Sequence, residues 1–311
     1  MRKAFIDALS SLAAADERIL LLTGDLGYMA MEEFEQRFPK RFFNVGVAEQ
    51  NMIGMATGLA DAGFLPYAYS IATFAALRPF EFIRNGPVLH RLPVRIVGMG
   101  MGFEYGHAGP THHAVEDIGV LRTLPGLSIV IPADSAQAAT AVRGTAGIAG
   151  PVYYSLGKDD RVVVRELDGR FALGRAQLVR DGADLAIVAM GSVTAEAAAA
   201  ADALAVEGIR ATVAVVSNFQ PDPDRDIVAV LRKVPHVITV EAQTLSGGLA
   251  AYSAMLIASH GLDCRLWPLG VSTSPDGTSG SQADRWRKHG LDRFHIAETA
   301  RRALRGDALL R

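Results

Sequence analysis

Short apolar, β-branched runs recur along the first half of the chain at Ile19–Thr23, Phe42–Gly46, Pro66–Ser70, Val94–Gly98, Leu127–Ile131 and Val152–Leu156. Each has strand length. Between them lie segments with apolar residues at three- and four-residue intervals, which predict helices over Ala48–Ala62, Phe74–His90, Ala114–Thr123 and Ser135–Gly147. Strands this uniformly apolar are buried on both faces, so the alternation predicts an α/β fold: an open, mostly parallel sheet flanked by helices.

The rhythm breaks at Gly157–Gly174, where Lys158, Asp159, Asp160, Arg161, Arg165, Glu166, Asp168 and Arg170 crowd into a polar connection. A domain boundary belongs there. A second, smaller alternation follows, with strands predicted at Leu185–Ala189, Thr212–Val216, His236–Val240 and Cys264–Pro268 and an alanine-rich helix at Thr194–Glu207. Ser272–Gly280 reads as a surface loop, and Asp284–Leu304 carries two terminal helical patterns. Two open-sheet domains are expected, over residues 1–163 and 175–311.

Composition narrows the classes. Of 311 residues, 50% are hydrophobic and 21% charged, a balance that suits a packed interior and not a disordered chain. With a net charge of −2 and no long basic run, electrostatic capture of nucleic acid or an anionic membrane has no support. No apolar run approaches the roughly 20 residues of a membrane-spanning helix. Acidic residues at Asp7, Asp16 and Glu17 interrupt any signal-peptide core, and the single Cys264 leaves no intrachain disulfide to form, so a cytoplasmic location is expected.

The most informative stretch runs from Phe42 to Ala60 and reads as strand, tight turn, helix. In open α/β sheets ligands bind at the carboxyl ends of strands, which places Glu49 in functional territory. The plainer alternative is an acid favoured at a helix N-terminus by about 0.3–1 kcal/mol. Gly54 and Gly58, with Ala56 and Ala60, leave a helix surface that another helix can approach closely, although ordinary helix–sheet packing is served equally well. The loop Gly106–His113 holds His107, His112 and His113 but no cysteine or carboxylate at ligand spacing, which argues against zinc. Phe74, read alone, is a core aromatic.

Val45-Gly46-Val47-Ala48-Glu49-Gln50-Asn51-Met52 resembles the Gly-Ile-Ala-Glu-Gln-Asn-Met box of the transketolase family's pyrimidine-binding domain. Thr23-Gly24-Asp25-Leu26 is similar to that family's Ala-Asp-Leu turn, and Ala72-Thr73-Phe74-Ala75-Ala76 to its Ser-Thr-Phe-Ala-Ala segment. Gly109-Pro110-Thr111-His112, Glu116-Asp117 and Pro132-Ala133-Asp134 follow in the family's order, while Gly191-Ser192, Glu241, Gly247-Gly248 and Pro275–Gly280 look like its C-terminal domain. The resemblance covers nearly the whole chain.

It implies thiamine diphosphate as cofactor, whose C2 carbanion chemistry the protein binds, orients and tunes. Glu49 would face N1′ of the aminopyrimidine, a role that needs a partly protonated carboxyl, which burial favours. Phe74 would pack on the pyrimidine, with Asp25, Leu26 and Phe80 near the cofactor. His112 would polarise or protonate a substrate oxygen, and Arg2, His107 and Lys158 would line the substrate site. The family's Gly-Asp-Gly…Asn box for the diphosphate and its Mg2+ or Ca2+ does not occur in this sequence. The resemblance therefore implies a partner, an N-terminal diphosphate-binding transketolase subunit, with the site at the interface of a heterotetramer.

Departures bear on the substrate. Ala108 stands where sugar-phosphate enzymes of the family place Asp, Met29 where Ser is usual, Gly100 where His is usual and Lys158 where Arg is usual; Leu77 replaces a second pyrimidine-contact aromatic. The implied activity is transfer of a two-carbon unit from a ketose or α-keto donor to an aldehyde or ketone. A keto-acid dehydrogenase β chain is disfavoured by Thr73-Phe74 in place of Gln-Phe. The joint presence of Glu49, Phe74 and His112 argues against a non-catalytic, stabilising role. A dinucleotide-dependent dehydrogenase lacks its Gly-x-Gly-x-x-Gly after the first strand.

Overall fold

A computed structural model describes residues 1–273 and 275–307. Ser274 of the expected Ser272–Gly280 loop, and residues 308–311 of the expected second domain, lie outside the described residues. In the first half, α1 (Arg2–Ala15) leads into β1 (Ile19–Thr23), α2 (Glu32–Arg37), β2 (Phe42–Asn44), α3 (Glu49–Asp61) and β3 (Leu65–Ile71). Then come α4 (Ala72–Ala76), α5 (Phe80–Ile83), β4 (Arg95–Met99), α6 (Asp117–Leu121), β5 (Ser128–Val130), α7 (Ser135–Thr145) and β6 (Val152–Leu156). The second half holds β7 (Gln177–Arg180), β8 (Leu185–Met190), α8 (Thr194–Val206), β9 (Ala211–Val216), β10 (Asn218–Phe219) and α9 (Asp224–Lys233). It ends with β11 (His236–Thr244), α10 (Leu249–His260), β12 (Arg265–Val271), α11 (Gln282–Lys288) and α12 (Arg293–Arg305).

The α/β expectation holds. One sheet has the order β10-β5-β6-β4-β3-β1-β2 and the other β12-β11-β8-β9-β7; only the edge strands β10 and β7 run antiparallel. Strands β1, β4, β5, β6, β8 and β9 are buried throughout, because helices cover both faces. β10 belongs by sequence to the second half but pairs with β5, so the second half supplies an edge of the first sheet.

Two local expectations change. The single helix over Phe74–His90 is broken into α4, α5 and a π turn at Arg84–Val88; Pro79 and Pro87 lack the N–H that a continuous helix requires. The helix over Ala114–Thr123 shrinks to α6, because Ala114 pairs with Gly102 in an isolated bridge instead. Sequence reading also overlooked α1, whose Phe5, Ile6, Ala8, Leu9 and Ala13 form a buried face at helical spacing.

Register brings the carboxyl ends of the central strands level. Thr23 lies opposite Asn44 and Tyr69, Ile71 opposite Met99, and Met99 opposite Leu156. Every loop that carries an expected site residue of the first domain, except Arg2 in α1, leaves the sheet from this one edge.

Candidate active site

Glu49 is the first residue of α3, reached from β2 through a turn in which Gly46 takes a positive φ of 76°. Its side chain is directed inward and is 1% exposed. Ser70, at the end of β3, donates to Oε1 at 2.9 Å, and Arg78 donates from Nη1 to Oε2 at 2.8 Å. A carboxylate in this position would be costly unpaired, and here both oxygens have partners. The guanidinium adds a positive charge to the environment that the sequence had suggested was only apolar.

From this carboxylate a run of contacts leads outward. Arg78 lies over the Phe74 ring, 3.8 Å from its centroid. Phe74 meets His112 edge-on at 5.0 Å between ring centroids, and His112 faces Tyr105 at 6.3 Å. The Lys158 ammonium stands 4.5 Å from the centroid of Tyr105. His112 Nδ1 shares a hydrogen bond with Thr111 Oγ1 at 2.9 Å, which fixes the ring and leaves Nε2 for other work. The tertiary structure thus unites Glu49, Phe74, His112 and Lys158 from four separate segments of the chain.

Other expected residues lie further out. Asp25 occupies a left-handed turn beside Glu49's neighbour Gly24, but its carboxylate turns to the Asn44 amide at 2.9 Å and the Tyr28 hydroxyl at 3.0 Å. The Asn44 bond, then the Tyr28 bond, hold that carboxyl below its ordinary value. Leu26 and Phe80 pack against the core of the first sheet. Arg2 shares a surface cleft with Met29 and Asp160, and His107 is exposed. The His113 ring meets Phe103 edge-on, 5.0 Å between centroids, and burial lowers its proton affinity.

Residues that sequence reading missed are Ser70, Arg78, Tyr105 and Glu104. Glu104 accepts from the Lys158 backbone N–H and, at 3.0 Å, from Ser192 of the second half; burial pushes its carboxyl up to about 7. The second half also braces the histidine loop directly, since Gly280 N–H donates to Gly106 O at 3.1 Å. No side chain would fit at Gly106, where a Cβ would lie 2.4 Å from Gly280 O. A larger cleft, lined by Arg175, Asp226 and Lys233, lies on the second half, away from all of these groups. Among the described residues no cluster of three or more His, Cys, Asp or Glu is placed to hold a metal, and no helix is long and apolar enough to cross a membrane.

The family's pyrimidine-binding domain, described as transketolase, pyrimidine binding domain, matches residues 1–160. The chain belongs to the transketolase family. The transketolase C-terminal domain matches residues 174–296. Among similar proteins, one of the subunits of an apulose-4-phosphate transketolase from Phocaeicola vulgatus is 33% identical, with 96% of each chain covered. A 6-deoxy-6-sulfo-D-fructose transketolase subunit from a Clostridium species is 35% identical over 84% of this chain and 81% of its own. A solved structure described as a split gene transketolase, an inactive β4 tetramer, superposes with a TM-score of 0.87 at 34% identity, covering 98% of both chains. The protein is accordingly a subunit of a thiamine-diphosphate-dependent, transketolase-like transferase.

Proposed function

We propose that this chain supplies the pyrimidine half of an active site shared with a second polypeptide, and that the complete enzyme moves a two-carbon unit from a ketose or α-keto donor to an aldehyde or ketone. The observation that carries the reading is Glu49: a buried carboxylate at the carboxyl edge of a mostly parallel sheet, paired with the Arg78 guanidinium that lies over the Phe74 ring, which in turn meets His112. These residues suit a flat, nitrogen-bearing heterocycle, with a hydrogen-bonding acid at its edge and an aromatic at its face. Thiamine diphosphate, when bound, provides the carbanion chemistry.

In this reading Glu49 holds a proton at the ring nitrogen, Ser70 fixes the carboxyl's orientation and Phe74 orients the ring. His112 delivers or removes a proton at the substrate oxygen, with Thr111 hydrogen-bonded to its Nδ1. Lys158 and Arg2 line the approach and favour an anionic substrate end, in keeping with the phosphate and sulfo groups in the relatives' names. Ala108, exposed within the histidine loop, offers no hydroxyl partner, which keeps an α-keto donor such as pyruvate open. Residues 1–163 and 175–311 are taken as the two domains, and the setting as cytoplasmic.

The diphosphate and a Mg2+ or Ca2+ would be held by an N-terminal diphosphate-binding transketolase subunit in a heterotetramer. Two features support the partner. No Gly-Asp-Gly…Asn box occurs in the sequence. Near the site, Val47 is 70% exposed, and Met55 and Phe82 flank the glycine face of α3, an apolar surface suited to a second polypeptide.

The test is reconstitution with the diphosphate-binding subunit, then comparison of the wild type with E49Q. The reading expects turnover to fall about 10²–10⁴-fold with assembly intact. Undiminished turnover would leave a scaffolding role, and turnover by this chain alone would remove the shared site. Xylulose 5-phosphate and pyruvate, assayed side by side, decide the donor class.

A further inference from the structure

The seat that suits a heterocycle is filled by one of the chain's own side chains. Arg78 lies in the short link between α4 and α5, flanked by Leu77 and Pro79. Its guanidinium covers the Phe74 face at 3.8 Å and donates to Glu49 Oε2 at 2.8 Å. A guanidinium is a flat N–C–N unit that donates from its edge and stacks through its face. An aminopyrimidine carries the same N–C–N edge and a comparable π face. Both surfaces that the ring would use are therefore engaged by a single side chain.

We propose that Arg78 is a resident stand-in for the cofactor's aminopyrimidine, which the incoming ring must displace, and that its departure is coupled to protonation of Glu49. The inference rests on the reading of Glu49 and Phe74 given above. Ser70 holds the other carboxylate oxygen at 2.9 Å, so the carboxyl keeps its place while the arginine leaves. The Arg78 side chain is 39% exposed against 1% for Glu49, so its path is outward into solvent. Among the described residues Arg78 is the charged group in contact with Glu49, and His112 is the titratable group on the adjoining ring. Once the guanidinium has gone, a buried carboxylate without counter-charge takes a proton from solvent onto Oε2 and presents it to the ring nitrogen. One N–H···O bond breaks, one O–H···N bond forms and one proton is consumed.

The full-length chain is titrated with the ring alone, 4-amino-5-hydroxymethyl-2-methylpyrimidine, by calorimetry in two buffers of different ionisation enthalpy. The wild type is expected to take up about one proton per ring bound. R78Q is expected to bind about tenfold tighter, the gain for a seat otherwise open in one molecule in ten, and to take up fewer protons. R78K, which keeps the charge but not the flat face, falls between them and guards against a folding defect in R78Q. Weaker or equal binding by R78Q, or binding by the wild type without proton uptake, overturns the stand-in. If E49Q abolishes binding while R78Q equals the wild type, the seat survives and the stand-in does not; if neither form binds the ring, both readings fall.

Discussion

Asp117 gives the sharpest physical prediction outside the site. It opens α6, the helix packed against α4, and is fully buried. One oxygen accepts from the Tyr153 hydroxyl at 2.8 Å and the Ser155 hydroxyl at 2.9 Å, and the other is buried without a partner. Burial wins over the two hydroxyls and pushes the carboxyl from 3.8 up to about 6. Between those values the folded chain keeps a proton that the unfolded chain releases. Stability from this group is thus complete below pH 3.8 and is lost as pH rises through about 6. At about 1.4 kcal/mol per tenfold change in proton affinity, the loss is on the order of 3 kcal/mol. Asp117→Asn is neutral at every pH and escapes it. Urea denaturation of both forms from pH 4 to 8 is expected to show the variant gaining on the wild type by up to ~3 kcal/mol, mostly between pH 4 and 6.5. Glu104 and Glu241, each raised to about 7 by burial, continue to lower the stability of both forms at higher pH and cancel in the difference. A stability difference that stays constant over the whole range would refute the reasoning.

Two further outcomes test the site. His112→Asn is expected to lower kcat of the reconstituted enzyme by about 10²–10⁴-fold while leaving the cofactor Kd in place, because the ring contacts run through Phe74 and Glu49; parallel loss of cofactor binding would place His112 in the seat itself. Gly106→Ala puts a Cβ 2.4 Å from the Gly280 carbonyl and must shift the histidine loop. A loss of about 10²-fold in kcat, with little change in unfolding midpoint, is expected from that displacement, and full activity would show that the brace does not position His112.

The sequence by itself settled the α/β class and the mostly parallel alternation of strand and helix, and it set Glu49 at the start of a helix after a strand, while Phe74 and His112 were marked by family-like motifs; each of these is written in a contiguous stretch. Apolar runs of strand length, a turn glycine and the first residue of a helix are short-range properties. The break in the Phe74–His90 helix was legible too, in Pro79 and Pro87, although periodicity masked it. What only the tertiary structure decided are the pairings across distance. Arg78 meets Glu49, 29 residues away, only because α3 follows β2 and α4 follows β3, the two strands on either side of β1, at the same sheet edge. β10 crosses from the second half to pair with β5, and Gly280 reaches Gly106 across the seam between the sheets. Strand order and register set these meetings, and they are products of the whole packed core, to which no local pattern of residues corresponds.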